Sequence, residues 1–377
     1  MKIVIAIDSF KGSLTSYEAA RSVKEAAEEV YKDAEVIIIP IADGGEGTVK
    51  ALTEGLSGNM RKLKVTGPLG EPVLAEYGII GSTAVIEMSE AAGITLVPPE
   101  KRDPMKTTTY GVGELIIDAI DRGCRSFIIG IGGSATNDGG AGMLEALGFK
   151  LLDRNGSIIK HGAEGLGELA SIDGADALPL LSECDFRVAS DVTNPLLGEN
   201  GCSRIYGPQK GADETCVALM DKYLENYVEI VKKHNPRADE NEAGAGAAGG
   251  MGFALKSFLG AKLEGGIGLV LETVGLAEKL IGADLVITGE GRLDSQSVMG
   301  KAPTGVAREA KKLGIPVIAF AGSVSEDAEI CNSHGIDAFF PILRRITSLD
   351  EAMDKEKAYK NIKDTAKQVF LLMRSIQ

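Results

Sequence analysis

Four short stretches concentrate side chains that could do chemistry. IDSFKGS (7–13) puts Asp8, Ser9 and Lys11 just past an apolar run, and IADGGEGT (41–48) sets Asp43 and Glu46 around a glycine pair. GGSATNDGG (132–140) offers Ser134, Thr136, Asn137 and Asp138, while TGEGRLDSQSVMGKAP (288–303) carries Glu290, Arg292, Asp294 and Lys301. Carboxylates gathered on one backbone turn suit Mg²⁺ or a general base. Cationic side chains beside such carboxylates fit a phosphoryl-transfer site, where positioning and charge neutralisation are most of the catalysis. SDVTNPLLG (190–198) and YGPQKGA (206–212) add Asp191, Asn194 and Lys210. Each stretch also has a plainer structural reading: turn residues, an acidic helix N-terminus that favours the dipole, or surface ion pairs that contribute little individually.

The stretch GIGGSATNDGGAG (130–142) raises a question of its own. Glycine-rich turns between strand and helix usually hold phosphate, because bare N–H groups can approach it closely. GIGGSA also fits the dinucleotide fingerprint G-x-G-x-x-A, with Asp153 about twenty residues on. Yet TNDGG follows, and these are poor helix-interior residues, so the helix is delayed to about residue 140 instead of starting inside the fingerprint. Asp138 would moreover face the pyrophosphate with a carboxylate. A hydroxy acid uses both features: N–H and hydroxyl donors for its carboxylate, and Asp138 to accept from a hydroxyl. GAGAAG (244–249) matches the fingerprint too, but the charged RADENEA before it is no strand. Neither a Walker A loop nor the protein-kinase motif set is present.

The elements that must position these residues are short apolar runs, most of them Val- and Ile-rich and without alternation: IVIAI (3–7), VIIIP (36–40), FIIGIG (127–132), DLVITG (284–289), PVIAFAG (316–322) and DAFFPI (337–342). Such runs are expected of strands buried on both faces of a parallel sheet. Helical patterns separate them, among them TSYEAARSVKEAAEEVY, for which Thr15 or Ser16 is the candidate cap, with Glu18 completing a capping box from Thr15. Residues 61–88 differ: strand-like runs split by GPLGEP and GS read as antiparallel hairpins. The expected fold is α/β, a doubly wound, mostly parallel Rossmann-like domain from 1–60 plus 283–377, with a second α/β domain inserted at 61–282. The ligand site is expected in the cleft between them. The polar, glycine-rich segment 232–252 reads as an exposed loop.

Bulk properties narrow the partners. A formal net charge of −14 and the absence of tryptophan argue against nucleic acid and anionic membranes. Five scattered cysteines and three histidines give no zinc pattern and suit free thiols in a reducing, cytoplasmic setting. No apolar run approaches the ~20 residues of a membrane span. Heptads and an apolar stripe are absent, so a homo-oligomer is neither indicated nor excluded.

Taken together, the motifs resemble those of the bacterial glycerate kinase family, the type without a Walker A loop. DSFKGS (8–13), PIADGGEGT (40–48), VTGPLGEPV (65–73), TTTYGVGELI (107–116), IGIGGSATNDGGAGML (129–144), DVTNPLLGENG (191–201), YGPQKGA (206–212), GAGAAGGMG (244–252) and DLVITGEGRLDSQSVMGK (284–301) carry the resemblance across almost the whole chain. Ile7 stands where a proline is usual and Leu293 where an isoleucine is, and neither change touches a polar group. The resemblance implies ATP- and Mg²⁺-dependent phosphorylation of D-glycerate to a phosphoglycerate. On that footing Asp8, Ser9 and the Ser134–Asp138 loop hold glycerate, and Lys11, Arg292 and Lys301 neutralise the transferring phosphoryl. Glu290, Asp294 and Lys210 join the nucleotide-phosphate site. Asp8, Asp43 and Asp191 compete as hydroxyl base, with Asp43 and Asp191 also assigned to Mg²⁺. A kinase of another small hydroxy acid, or a non-catalytic anion-binding regulator, are the rival readings.

Overall fold

The unalternated Val/Ile runs at the two ends of the chain form a five-stranded, all-parallel sheet in the order Ala338–Pro341, Val317–Val324, Leu285–Leu293, Lys2–Ile7, Glu35–Ile38. The computed structural model describes residues 1–376. Within the strand Lys2–Ile7, Ile3, Ile5 and Ile7 face a core layer that also holds Ala19, Val23, Phe320 and Phe370. Val4 and Ala6, equally buried, point to the opposite face by strand alternation. Helices Ser16–Val30 and Lys355–Ile376 pack together on the first face. Thr15 caps the former, accepting from Glu18 N–H, and the Glu18 carboxylate accepts from Thr15 N–H in return.

From Lys2–Ile7 the chain crosses to Glu35–Ile38 on one side, whereas Leu285–Leu293 and the strands after it lie on the other. The order therefore reverses between Lys2–Ile7 and Leu285–Leu293, and in open α/β sheets that reversal opens a crevice beyond the strands' C-terminal ends.

This sheet belongs to a unit made of Met1–Gly58 and the chain from Gly265 onward; Asn59–Glu264 form a second unit. The inserted segment thus ends at 264, where the sequence suggested 282. Residues 265–282 form the apolar helices Gly266–Thr273 and Leu276–Leu280, which pack on the helix Ala302–Lys312. Carrying no strand pattern, they gave the sequence no sign of the unit they join.

The second unit holds a six-stranded sheet in the order Lys262–Glu264, Asp185–Ala189, Ser126–Gly130, Thr83–Glu87, Pro72–Ile80, Asn59–Thr66. Its first four strands run parallel, and the last two extend it as antiparallel hairpins. Glu87, Gly130 and Ala189 lie in register at the C-terminal edge, so the loops that follow them emerge side by side.

The expectation of an exposed loop over 232–252 is corrected in its second half. The helix Glu214–His234 includes the start of the segment, and residues 244–250 are buried apart from the half-buried Ala248. Ala248, Gly249 and Gly250 adopt three successive left-handed conformations, and Gly249 leaves room for only a hydrogen, since a Cβ there would lie 2.1 Å from Thr136 O. Gly139 N–H donates to Gly249 O at 2.9 Å. Consecutive left-handed residues have no periodic sequence signal, which is why this packed corner read as a loop. All five cysteines are free, and no described helix is long and apolar enough to cross a membrane.

Candidate active site

A cavity of about 380 Å³ lies within the first unit at the strand-order reversal. Its polar floor comes from strand ends and the turns they feed. Asp8 directly follows Lys2–Ile7, and its N–H donates to Gly289 O at 2.9 Å, tying the two central strands together at the floor. The next turn is closed by reciprocal bonds between Phe10 and Leu14, at 2.9 and 3.0 Å, with Lys11 at its tip. Asp43 sits in the loop after Glu35–Ile38, where Oδ1 accepts from Gly45 N–H at 3.1 Å and Oδ2 lies 3.9 Å from Lys11 Nζ. Glu46 is exposed just before the helix Thr48–Gly55.

Across the floor, Glu290 and Arg292 extend from Leu285–Leu293. Gly289 permits the close approach of the neighbouring strand there, since a Cβ would meet Phe320 O at 2.1 Å. Ser297 donates its hydroxyl to Glu290, and Lys301 Nζ stands 3.8 Å from Glu290 Oε2 and 3.7 Å from Asp294 Oδ1. Arg292 Nε is 3.4 Å from Asp294 Oδ2. The structure therefore brings Asp8, Ser9, Lys11, Asp43, Glu290, Arg292 and Lys301 to one cavity. Asp294 touches its rim through those two ion pairs.

Burial makes this floor electrostatically unusual. Asp8 is only 5% exposed, and its pKa is pushed up to about 7, first by burial and then by the Asp43 charge, against the opposing pull of Ser9 N–H and Lys11. Glu290 is also raised, by burial, while Ser297 and Lys301 hold it down. A carboxyl titrating near neutrality in a crevice is matched to proton transfer at physiological pH. Among the described residues no three His, Cys, Asp or Glu side chains are grouped to hold a metal ion. The donors are nonetheless carboxylate oxygens, and Mg²⁺ commonly takes one or two of these and fills its shell with phosphate and water. A cation at Asp43 would also offset the repulsion that Asp8 feels.

The second unit gathers the other predicted residues differently. Asp138 is fully buried, and Oδ2 accepts from Thr109 N–H and Thr109 Oγ1–H, both at 2.8 Å, and from Gly142 N–H at 3.3 Å. Oδ1 accepts from Gly140 N–H at 3.1 Å. Its acceptor capacity is spent on shaping the loop, so the expectation that Asp138 receives a substrate hydroxyl is corrected. Lys210 is likewise buried, donating to Ser134 Oγ at 2.8 Å and Thr136 O at 2.6 Å. It underpins the loop and does not reach out to a phosphate. Burial lowers its pKa to about 8, with Cys202 and Asp138 opposing.

Asn137 donates to Ser203 Oγ at 2.9 Å, whereas Asn137 Oδ1 and Thr136 Oγ1 are buried with no partner. Gly132 and Gly133 are the exposed part of this loop. Asp191 is exposed just after Asp185–Ala189, and Asn194 is fixed by Tyr206 O–H at 2.7 Å and Asn200 O at 2.8 Å. Sequence reasoning missed Thr109, Ser297 and the cavity's apolar wall. The run of three threonines at 107–109, ahead of a helix, was the one available signal for the first.

Comparison with known proteins agrees over the whole length. Residues 3–374 match the model of the glycerate kinase family. Glycerate 2-kinase of Escherichia coli K12 is 52% identical, over 96% of this chain and 95% of that protein. A glycerate kinase of Halalkalibacterium halodurans is 49% identical over 96% and 97%. A crystal structure assigned to glycerate kinase 2 of Salmonella typhimurium LT2 superposes with a TM-score of 0.92, at 47% identity, covering 100% of this chain and 98% of that one.

Proposed function

This chain belongs to the glycerate kinase family and is a kinase, and from that premise we propose that it transfers the γ-phosphoryl group of ATP, with Mg²⁺, to D-glycerate. The observation that carries the chemistry is Asp8: a buried carboxyl, pushed up to about 7 and under the pull of Lys11, in a cavity at the sheet's order reversal that Lys301 also lines. Asp8 takes the proton of the attacking hydroxyl as its oxygen bonds to phosphorus and the bond to the ADP oxygen breaks. Lys11 and Lys301 stand where charge accumulates on the phosphoryl oxygens, and Arg292 supports them from the rim. Mg²⁺, when bound, neutralises phosphate charge; Asp43 is the side chain suited to hold it, with Asp191 as the second carboxylate to be tested. Glu290 and Asp294 keep Lys301 aimed, through the ion pairs described above.

In the other unit, the exposed backbone of Gly132 and Gly133 with Ser134 suits a small carboxylate, and Lys210 beneath it adds positive charge. Thr136 Oγ1 and Asn137 Oδ1 are its unpartnered oxygens. The acceptor on glycerate is assigned to the 2-hydroxyl on the strength of the Escherichia coli relative's name. Incubation with ATP, Mg²⁺ and a panel of hydroxy acids, with ³¹P NMR of the product, tests the reading. A 2-phosphoglycerate resonance with D-glycerate supports it; preference for another acid replaces the substrate, and a 3-phosphoglycerate product moves the acceptor.

A further inference from the structure

Besides its charged residues, the first unit's cavity has a wall of a different kind. Ile342, Leu343, Leu349, Ala352 and Met353 line it, and none of these side chains carries a hydrogen-bonding group. The wall has a definite construction. Ile342 N–H donates to Ala321 O at 2.9 Å, pinning the chain as it leaves Ala338–Pro341. Ser348 Oγ then accepts from Glu351 N–H at 3.3 Å and starts the helix Leu349–Met353. Glu351 anchors the outside of this segment by accepting from Thr347, Arg345 and Lys357. At its end Met353 lies over the Lys11 turn, where a Cβ on Gly12 would come 2.7 Å from Met353 Cε. The apolar wall and the cationic turn are therefore continuous.

This wall leaves apolar surface uncovered: Leu349 is 76% exposed. An apolar slab joined to Lys11, Arg292 and Lys301 matches a ligand with a flat, weakly polar end and a polyanionic end. Glycerate, a three-carbon acid, has no apolar surface to set against it. A nucleoside triphosphate has both ends, and about 380 Å³ lies within the size range of small-molecule pockets.

Resting on the kinase reading above, we infer that the Ile342–Met353 wall holds the base and ribose of the nucleotide, whose phosphates run onto the Lys11–Lys301 floor. The wall's chemistry sets specificity as well. Sites that read an exocyclic group through hydrogen bonds reject its absence by ~10⁴-fold or more, whereas apolar contacts discriminate by roughly 10–200-fold. The wall's apolar side chains therefore contribute only about tenfold to the ATP:GTP ratio of kcat/KM.

Leu349→Ser and Met353→Ser test the assignment, being neutral changes at sites exposed enough to leave folding intact. The KM for ATP should rise about tenfold from the lost apolar contact, while the KM for D-glycerate stays within about twofold. Inhibition by ADP should weaken, while inhibition by inorganic tripolyphosphate, which has no base, should not. An unchanged KM for ATP, or a rise in the KM for glycerate instead, would overturn the inference with the kinase reading intact. A shift of the ATP:GTP ratio by more than ~10³ in these variants would overturn the account of specificity. Failure of the kinase reading would show separately, as absence of ATP-dependent transfer by the unaltered protein.

Discussion

The two units use buried charge in opposite ways. In the first, the cationic ends are loosely held: Lys11 and Arg292 side chains are 62% and 68% exposed, and their carboxylate partners stand 3.9 and 3.4 Å away. In the second, Asp138 and Lys210 are sealed in and bonded to protein partners at 2.6–3.3 Å. Exposed ion pairs contribute little to stability and are easily exchanged for a ligand. A satisfied buried network fixes shape, and breaking it leaves polar groups unpaired. Substitutions in the first unit should therefore register in catalysis, and those under the second unit's loop in stability.

The largest effect expected is on turnover. Asp8→Asn should lower kcat by about 10²–10⁴-fold, the range for loss of a general base. The same variant should gain stability at alkaline pH. Because the folded pKa of Asp8 is raised from 3.8 to about 7, the native state holds its proton more tightly than the unfolded chain does. Stability is thus lost as pH climbs from 3.8 through 7, and Asn escapes that loss. Thermal melts at pH 8 should show the variant more stable by up to a few kcal/mol, and melts near pH 4 should show no gain.

Asp138→Ala should do the reverse, costing about 3 kcal/mol in denaturant unfolding, because the donors of Thr109, Gly140 and Gly142 lose their shared acceptor. A large fall in activity without a stability change would break the contrast between the units. Smaller again, Lys301→Met should reduce kcat/KM about 10²-fold by removing charge at the phosphoryl oxygens. Arg292→Ala, at the exposed rim, should cost less. The last effect is a slope: Lys210 titrates near 8 in the fold against 10.5 when unperturbed, so stability should rise as pH moves up through that interval. Lys210→Met should flatten the rise.

The sequence made the first unit's site legible because its residues sit at the ends of apolar strands, and topology alone brings such ends together. Asp8, Lys11, Asp43, Glu290, Arg292 and Lys301 needed only the α/β pattern and the position of each turn to be placed near one another. Asp138 was harder. Its type suggested an acceptor for substrate, and only the tertiary fold shows both oxygens already occupied, chiefly by Thr109. Lys210 misled in the same way, a lysine on a short turn whose burial no local pattern announces. Residues 342–353 gave no chemical signal at all. Their role comes from sharing a cavity with charged residues contributed by distant segments.

The central claim is that Asp8 accepts the proton in phosphoryl transfer. It is tested most directly by the pH dependence of kcat/KM for MgATP at saturating D-glycerate, which reports the groups of the nucleotide-free enzyme, for the unaltered chain and Asp8→Asn. The unaltered enzyme should lose activity on an acidic limb with a midpoint at about 7, where Asp8 becomes protonated, and the variant should show low kcat/KM without that limb. A variant that keeps kcat/KM within about threefold of the unaltered enzyme, with the limb still present, would contradict the account.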